Sequence, residues 1–165
     1  MRVLDVGCGT PSKHHKFLGG DNVVHFDINR SAYHLEIIGD ACALPFRNPA
    51  FDVVYASHIL EHLPNPFQAI REMKATLKAT SESRVIIKVP NASFFKWKSD
   101  GAAHLFSWNE YTLFNLLSEF FPHVIIEPTI KNIGPRSRRI LNLLLRLFYG
   151  HNEITATCSL KPSKA

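Results

Sequence analysis

Two glycines that directly follow an apolar run are the first residues of this sequence that could take part in binding or chemistry. The run reads VLDVGCGT and places Asp5, Gly7 and Gly9 where a strand would turn into the next segment. Glycine is needed where the backbone turns tightly or approaches a ligand without a Cβ in the way. Such turns also occur for purely structural reasons, so this one alone is weak evidence for a ligand site.

Two aspartates follow at the ends of the next apolar runs. Asp27 ends VVHFD, and Asp40 stands in GDACALPF. A carboxylate in the first position can accept hydrogen bonds from the hydroxyls of a ribose. Either aspartate alone is equally compatible with a turn cap, because aspartate is a common turn residue. Taken with the glycine turn, the pair favours a nucleoside ligand.

The elements that must position these residues alternate between short apolar runs and helix-length segments, which predicts a parallel sheet covered on both faces. The carboxyl ends of parallel strands meet at one edge of such a sheet. We therefore expect the glycine turn and both aspartates to line one pocket. The strands of the N-terminal half are predicted at residues 2–6, 23–26, 35–38, 53–56 and 84–89.

Two helices and two further strands are predicted beyond the fourth strand. Apolar residues recur at helical spacing over residues 66–80, where Pro66 suits a first turn. A second helix is predicted over 108–121, with Ser107 as its N-cap and Pro122 as its stop. The remaining strands are expected at 124–127 and 154–160, and the loop from 90 to about 107 is long enough to be functional.

Four stretches in the first 90 residues carry a family resemblance: VLDVGCGT, VVHFDIN, GDACALPF and FDVVYASHILEHLPNP. In this combination the chain resembles the class I S-adenosylmethionine (SAM) methyltransferases, particularly the methyltransferase type 11 group. The resemblance implies an α/β fold, a Rossmann-like three-layer sandwich formed as one domain over residues 1–165. Its mostly parallel seven-stranded sheet would have the order 3-2-1-4-5-7-6, with the last strand antiparallel.

The resemblance also implies SAM as the cofactor, held by residues at the strand ends. The turn from Gly7 to Gly9 would face the methionine part, Asp27 would hold the ribose, and Asp40 would contact the adenine. Ser57 would lie near the sulfonium. The full implied set is Asp5, Gly7, Gly9, Asp27, Ile28, Asp40, Ala41 and Ser57.

A dinucleotide-dependent dehydrogenase is the natural rival, because its fingerprint also combines a glycine turn with a distant acid. Two details disagree with it. Ser12 stands where a third glycine is expected, and Asp5 just before the turn is unusual for a pyrophosphate site. A carboxylate suits the sulfonium and amino group of SAM on electrostatic grounds.

Methyl transfer depends mainly on placing the acceptor atom opposite the leaving sulfur. A base near the methyl group helps when the acceptor is a hydroxyl or an ammonium. His58, at the end of the fourth strand, and His104, in the loop after the fifth, are the candidate catalytic residues. Each is also compatible with a capping or packing role. Glu61 and His62 are predicted to organise the turn into the following helix.

The charge and composition of the chain indicate which classes of acceptor and partner it could bind. The net charge of +5 suits an anionic partner, and the aromatic residues at 94–97 could stack on bases. The basic residues are nevertheless spread out, so the sequence favours a small-molecule or lipid-like acceptor, with RNA methylation as an alternative. The leucine-rich segment 136–149 carries a basic stripe. It is expected to cover the sheet, or else to contact a second copy or a partner subunit.

Three widely spaced cysteines indicate neither a disulfide framework nor a zinc site. The sequence has no apolar run of membrane-spanning length and no secretory leader, so we expect a cytoplasmic protein. The usual helical lid before the first strand is expected to be absent, and the first two crossover helices abbreviated. Because these segments normally wall the cofactor site, three alternatives stay open. The chain could bind SAM weakly, it could need a partner subunit to complete the pocket, or it could be a non-catalytic subunit with the SAM-binding fold.

Overall fold

The computed structural model describes residues 1–9, 22–32, 35–47, 49–92, 104–129 and 153–162. They form a seven-stranded sheet of order β3-β2-β1-β4-β5-β7-β6. The first five strands run parallel, and β7 lies antiparallel to both β5 and β6. The strand order expected from the resemblance is therefore confirmed. The strands are β1 (Val3–Val6), β2 (Val23–Asp27), β3 (Ile37–Ile38), β4 (Val53–Ser57), β5 (Arg84–Pro90), β6 (His123–Thr129) and β7 (Glu153–Ser159).

The centre of the sheet is buried because β1 has a parallel neighbour on each side. All four β1 residues are buried, as expected for a strand covered on both faces. Val6 at its end is in register with Phe26 of β2 and Ala56 of β4. This register brings the carboxyl ends of three strands to one edge, where the ligand-binding crevice of such a sheet forms.

Two helices belong to the described residues. Helix α1 (Pro66–Thr76) begins with Pro66 in its first turn, and the Asn65 side chain accepts a hydrogen bond from the Gln68 N–H at 3.1 Å. Its end was predicted at residue 80. The helix stops earlier because Leu77 turns extended and pairs with Phe51 in an isolated bridge.

Helix α2 (Glu110–Ser118) begins later than predicted, and Ser107 is not its N-cap. Asn109 holds that position: its side chain accepts from the Thr112 N–H at 2.8 Å, and Thr112 Oγ1 accepts from the Asn109 N–H at 3.0 Å. This reciprocal capping box satisfies two otherwise unpaired donors. A serine two residues upstream offers no such pair, which is why the prediction of Ser107 was wrong.

Several expectations lie outside the described residues. They concern the segment after the glycine turn, the aromatic residues at 94–97 and the leucine-rich segment 136–149. In the part of the chain that the structure describes, no helix combines the length and apolar character needed to cross a membrane. Of the three cysteines, all free, Cys8 and Cys158 are buried and Cys42 is partly exposed.

Candidate cofactor cleft at the carboxyl edge of the sheet

A cleft of about 430 Å³ opens at the carboxyl ends of β1, β2 and β4. Its volume falls within the range of about 300–1,000 Å³ that small-molecule sites occupy. Sequence reasoning anticipated seven of its lining residues, and the structure brings them together: Gly7, Gly9, Asp27, Ile28, Asp40, Ala41 and His58. It did not anticipate six others, which are Phe26, Gly39, Ile59, His62, Leu63 and Pro64.

Three of the named residues are not among those that line the cleft. Asp5 is buried in β1, and its Oδ2 lies 3.1 Å from Nδ1 of His25 in β2. Ser57 has a shielded hydroxyl that makes no hydrogen bond within the described residues. The His104 ring contacts that of His62, which does line the cleft, with the two ring centroids 4.6 Å apart. Direct contact of these three residues with a ligand stays a prediction.

The glycine turn has the backbone that the sequence led us to expect. Gly7 and Gly9 have φ angles of +73° and +59°, a region that side chains disfavour. The Gly7 N–H donates to the Phe26 carbonyl at 2.8 Å, and the Gly9 N–H donates to Asp27 Oδ2 at 2.8 Å. These bonds fix the turn to the end of β2.

Gly9 has space beside it among the described residues. The nearest of their atoms to a Cβ built on Gly9 is the Gly7 carbonyl oxygen at 4.0 Å. A Cβ on Gly7 would instead collide with Ile59 Cδ1 at 2.6 Å. One glycine therefore lets the turn pack against Ile59, and the other keeps space free for a ligand. The turn is therefore compatible with SAM as the ligand.

Both aspartates cap local turns, and both also face the cleft. Asp27 accepts the Gly9 N–H at Oδ2 and the Asn29 N–H at Oδ1, each at 2.8 Å. Asp40 accepts the Cys42 N–H at Oδ1, also at 2.8 Å. A carboxylate has about four lone-pair sites, so each side chain keeps acceptor capacity for a ligand. The capping and binding interpretations are therefore compatible rather than exclusive.

Two carboxylates, Asp5 and Asp27, lie near the glycine turn and contribute negative charge at the Cys8 thiol. Burial in the first place, and then the charges of Asp27 and Asp5, raise the pKa of Cys8 to about 12. A negative potential at this turn favours a cationic ligand group and disfavours a pyrophosphate.

His58, at the end of β4, is held by two carboxylates. Its Nε2 lies 2.7 Å from Oε1 of Glu153, and its Nδ1 lies 3.4 Å from Oε1 of Glu61. The hydrogen bond to Glu153 and then the contact with the Glu61 carboxylate raise the pKa of His58 to about 9, although burial opposes the shift. His58 also has a φ of 54°, a conformation that costs a residue with a side chain about 1–2 kcal/mol. The end of β4 is thus a strained and charged position.

A second and larger hollow, of about 640 Å³, lies at the opposite edge of the sheet. Its lining includes Arg84 at the start of β5 and Ser159 at the end of the antiparallel β7. Ligands of open α/β sheets bind beyond the carboxyl ends of the parallel strands. The smaller cleft is therefore the candidate site.

Comparison with known proteins agrees with this geometry. Residues 4–82 match the family model described as methyltransferase domain. Sterol 24-C-methyltransferase ERG6B of Gibberella zeae is 32% identical in an alignment 95 positions long, which covers 47% of this chain and 25% of that protein. The chain thus spans about a quarter of the length of the curated relative that it matches.

Solved structures share the whole fold. A SAM-dependent methyltransferase from Archaeoglobus fulgidus superposes with a TM-score of 0.65 at 23% identity, over 95% of this chain and 85% of that chain. The Haloferax volcanii complex that contains the Trm112 methyltransferase activator matches with a TM-score of 0.74 at 13% identity, over 99% of this chain and 83% of that chain. Residues 4–82 are thus similar to the methyltransferase domain family, and the described residues have the fold of solved SAM-dependent methyltransferases.

Proposed function

We propose that this chain transfers a methyl group from SAM to a small or lipid-like acceptor. The observation that carries the proposal is the cleft itself, where an open glycine turn and two carboxylates with spare acceptor capacity share one wall. When bound, SAM supplies a methyl group on a positively charged sulfur. The negative environment of the turn suits that charge.

The chain's own residues would divide the binding work by chemistry. Asp27, fixed by two backbone N–H groups, would accept hydrogen bonds from the ribose hydroxyls. Asp40 would accept from the exocyclic amine of the adenine. Ile28 is 72% exposed at the mouth of the cleft, so it offers an apolar surface that a flat base would cover.

His58 has a positioning role in this proposal rather than that of a base. A base must have a free acceptor nitrogen, whereas both ring nitrogens of His58 face carboxylates. Held in this way, its side chain fixes the end of β4 beside the cleft. If the acceptor has to lose a proton, a group other than His58 must receive it.

The lipid-like acceptor is supported by the similarity to a sterol methyltransferase in the cofactor-binding half. Apolar side chains also contribute much of the cleft wall, including Phe26, Ile59 and Leu63. The alternatives are RNA methylation and a SAM-fold subunit that acts through a partner. One structural neighbour is a complex with a methyltransferase activator, which is the reason for testing a subunit that acts through a partner.

Calorimetric titration of the full chain with SAM and S-adenosylhomocysteine is the first test, and Asp27→Asn is the informative variant. We expect binding of both ligands and an affinity loss of about 10- to 100-fold in the variant, because charged hydrogen bonds to the ribose are lost. Asp52→Asn is the matched control. It removes the same charge from an aspartate that pairs with Lys78 outside the cleft.

Turnover is then measured with methyl-labelled SAM against sterols, phospholipid headgroup amines and RNA. Label in the sterol or small-amine fractions supports the proposal, and label in RNA alone replaces it. Binding of SAM without transfer in any fraction favours a non-catalytic subunit. No binding up to millimolar SAM would refute the cofactor assignment altogether.

A further inference from the structure

Glu61 is a buried carboxylate with unmet hydrogen-bonding capacity. It is 2% exposed, and neither of its oxygens accepts a hydrogen bond from the described residues. The nearest positive group is His58 Nδ1 at 3.4 Å, but His58 makes its closer contact, at 2.7 Å, with Glu153. A buried carboxylate whose closest ion-pair contact among the described residues is this long is poorly compensated, so a further cation would stabilise it.

Two histidines converge on this carboxylate. One ligand atom each from Glu61, His62 and His104 can be chosen so that all three lie within 4.8 Å of one another. His62 Nε2 lies 4.0 Å from Glu61 Oε1, and the rings of His62 and His104 meet edge to face at 62°. Glu61 is buried, so the cluster is anchored in the protein interior on one side.

The backbone holds His104 in this position. The N–H groups of Leu105 and Phe106, the two residues that follow it, donate to the Glu61 carbonyl oxygen at 2.8 and 3.1 Å. The segment that carries His104 is therefore pinned to the very residue whose side chain completes the cluster. His62 needs no such anchor, because it directly follows Glu61 in sequence.

We propose that Glu61, His62 and His104 bind a divalent transition-metal ion, for which zinc is the reference. Two imidazoles and one carboxylate are a donor set that zinc accepts, and bond lengths of about 2.0–2.2 Å place tetrahedral ligands roughly 3.3–3.6 Å apart. The three side chains must therefore close by about 1 Å from their present spacing. The His62 side chain is 41% exposed and has room to make that adjustment.

The site would lie beside the cofactor cleft, because His62 also forms part of the cleft wall. A metal with three protein ligands keeps an open coordination position. We infer that an oxygen of the acceptor occupies it, so that the ion orients the acceptor. This second step rests on the proposed function, whereas metal binding does not.

The test is titration of the full chain with Co²⁺ and Zn²⁺ after treatment with a chelator, followed by visible absorption and calorimetry. We expect one ion per chain and the absorption bands of a nitrogen and oxygen ligand set. Glu61→Gln and His104→Ala should each weaken binding at least about 10-fold. His123→Ala, which removes an exposed histidine at the start of β6, should leave affinity unchanged.

A second control addresses the adjacent histidines His14 and His15, which the sequence also offers to metals. Metal affinity that falls in the double variant His14→Ala, His15→Ala and not in Glu61→Gln would overturn the site. If Glu61→Gln does not fold, as judged by thermal unfolding without metal, the partly exposed His62→Ala decides in its place. Unchanged affinity in His62→Ala and His104→Ala would also overturn the proposal.

SAM titration of the same samples separates the two proposals. Metal binding without SAM binding would refute the proposed function and leave the metal site standing. SAM binding with no metal binding would refute only the metal site. If both bind, the ion's role with the acceptor is tested by label transfer with and without added Zn²⁺, and equal rates would contradict that role.

Discussion

Glu153 Oε1 lies 2.7 Å from His58 Nε2 and so joins the start of β7 to the end of β4. These strands are not neighbours, because β5 lies between them. The His58 N–H donates to the Lys88 carbonyl of β5 at 2.9 Å, which ties all three strands together beside the cleft. This arrangement holds His58 in its unfavourable backbone conformation and makes the cleft depend on a strand far along the chain.

The first prediction concerns the pH dependence of stability. Because the pKa of His58 is raised from 6.5 to about 9 on folding, its contribution is fully present below about pH 6.5 and is lost as pH rises through about 9. We expect this contribution to be about 2–3 kcal/mol at most. Urea unfolding at pH 6 and pH 9.5, with a chelator present, measures the loss.

The matched variant for this measurement is Glu153→Gln, which removes the closer of the two carboxylates. It should lower the pKa of His58 and flatten the difference between the two pH values. A variant that loses as much stability between pH 6 and pH 9.5 as the wild type would contradict the assignment to His58.

The second prediction separates the two glycines of the turn. Gly7→Ala combines a φ of +73° with a Cβ contact of 2.6 Å, so it should destabilise the fold by about 2 kcal/mol or more. In Gly9→Ala the new Cβ has no close contact with the described residues, so backbone strain of about 1 kcal/mol is the cost we expect. Its Cβ would occupy ligand space, so SAM affinity should fall although the fold persists. Thermal unfolding and calorimetry of both variants test this. If Gly9→Ala binds SAM as tightly as the wild type, the prediction is wrong.

The sequence predicted residues that local strand patterns locate, but it did not predict a contact between segments far apart in the chain. The sequence predicted that Gly7 and Gly9 after β1, Asp27 at the end of β2 and Asp40 after β3 would line one pocket, because parallel strands bring their carboxyl ends together. The partnership of His58 with Glu153 carries no such local signal. It depends on the position of β7, which is fixed by antiparallel pairing with β5 and β6.

Other differences arose where tertiary contacts or capping chemistry override periodicity. Helix α1 was expected to continue because its apolar spacing continues, yet Leu77 leaves the helix to pair with Phe51. The role of His62 was missed for a related reason. The segment EHLPNP was interpreted as a turn that leads into a helix, and it does so while placing His62 in the cleft wall. A residue that organises a turn is therefore not excluded from a site.

The third prediction tests the corrected helix cap. Asn109→Ala removes the side-chain acceptor for the Thr112 N–H, which is one half of the capping box, and should cost about 1 kcal/mol of unfolding free energy. Ser107→Ala is the control, since a serine outside the cap should matter by less than about 0.5 kcal/mol. Denaturant unfolding of the two variants compares them directly. Equal losses would show that the cap does not begin at Asn109.

The last prediction uses two cysteines as reporters of the cleft's electrostatics. Burial, then Asp27, raises the pKa of Cys8, and burial, then Asp40, raises the pKa of Cys42. Removing one negative charge should lower the pKa of the neighbouring thiol and speed its alkylation by roughly 2- to 10-fold. Asp27→Asn should therefore accelerate Cys8 and spare Cys42, while Asp40→Asn should do the reverse. Peptide mass mapping after timed iodoacetamide treatment at pH 8.5 gives both rates from one sample, and Cys158 serves as the internal reference because neither aspartate contributes to its raised pKa. If both variants changed both rates alike, general loosening of the turn would explain the result better than local charge, and the electrostatic account of the cleft would fail.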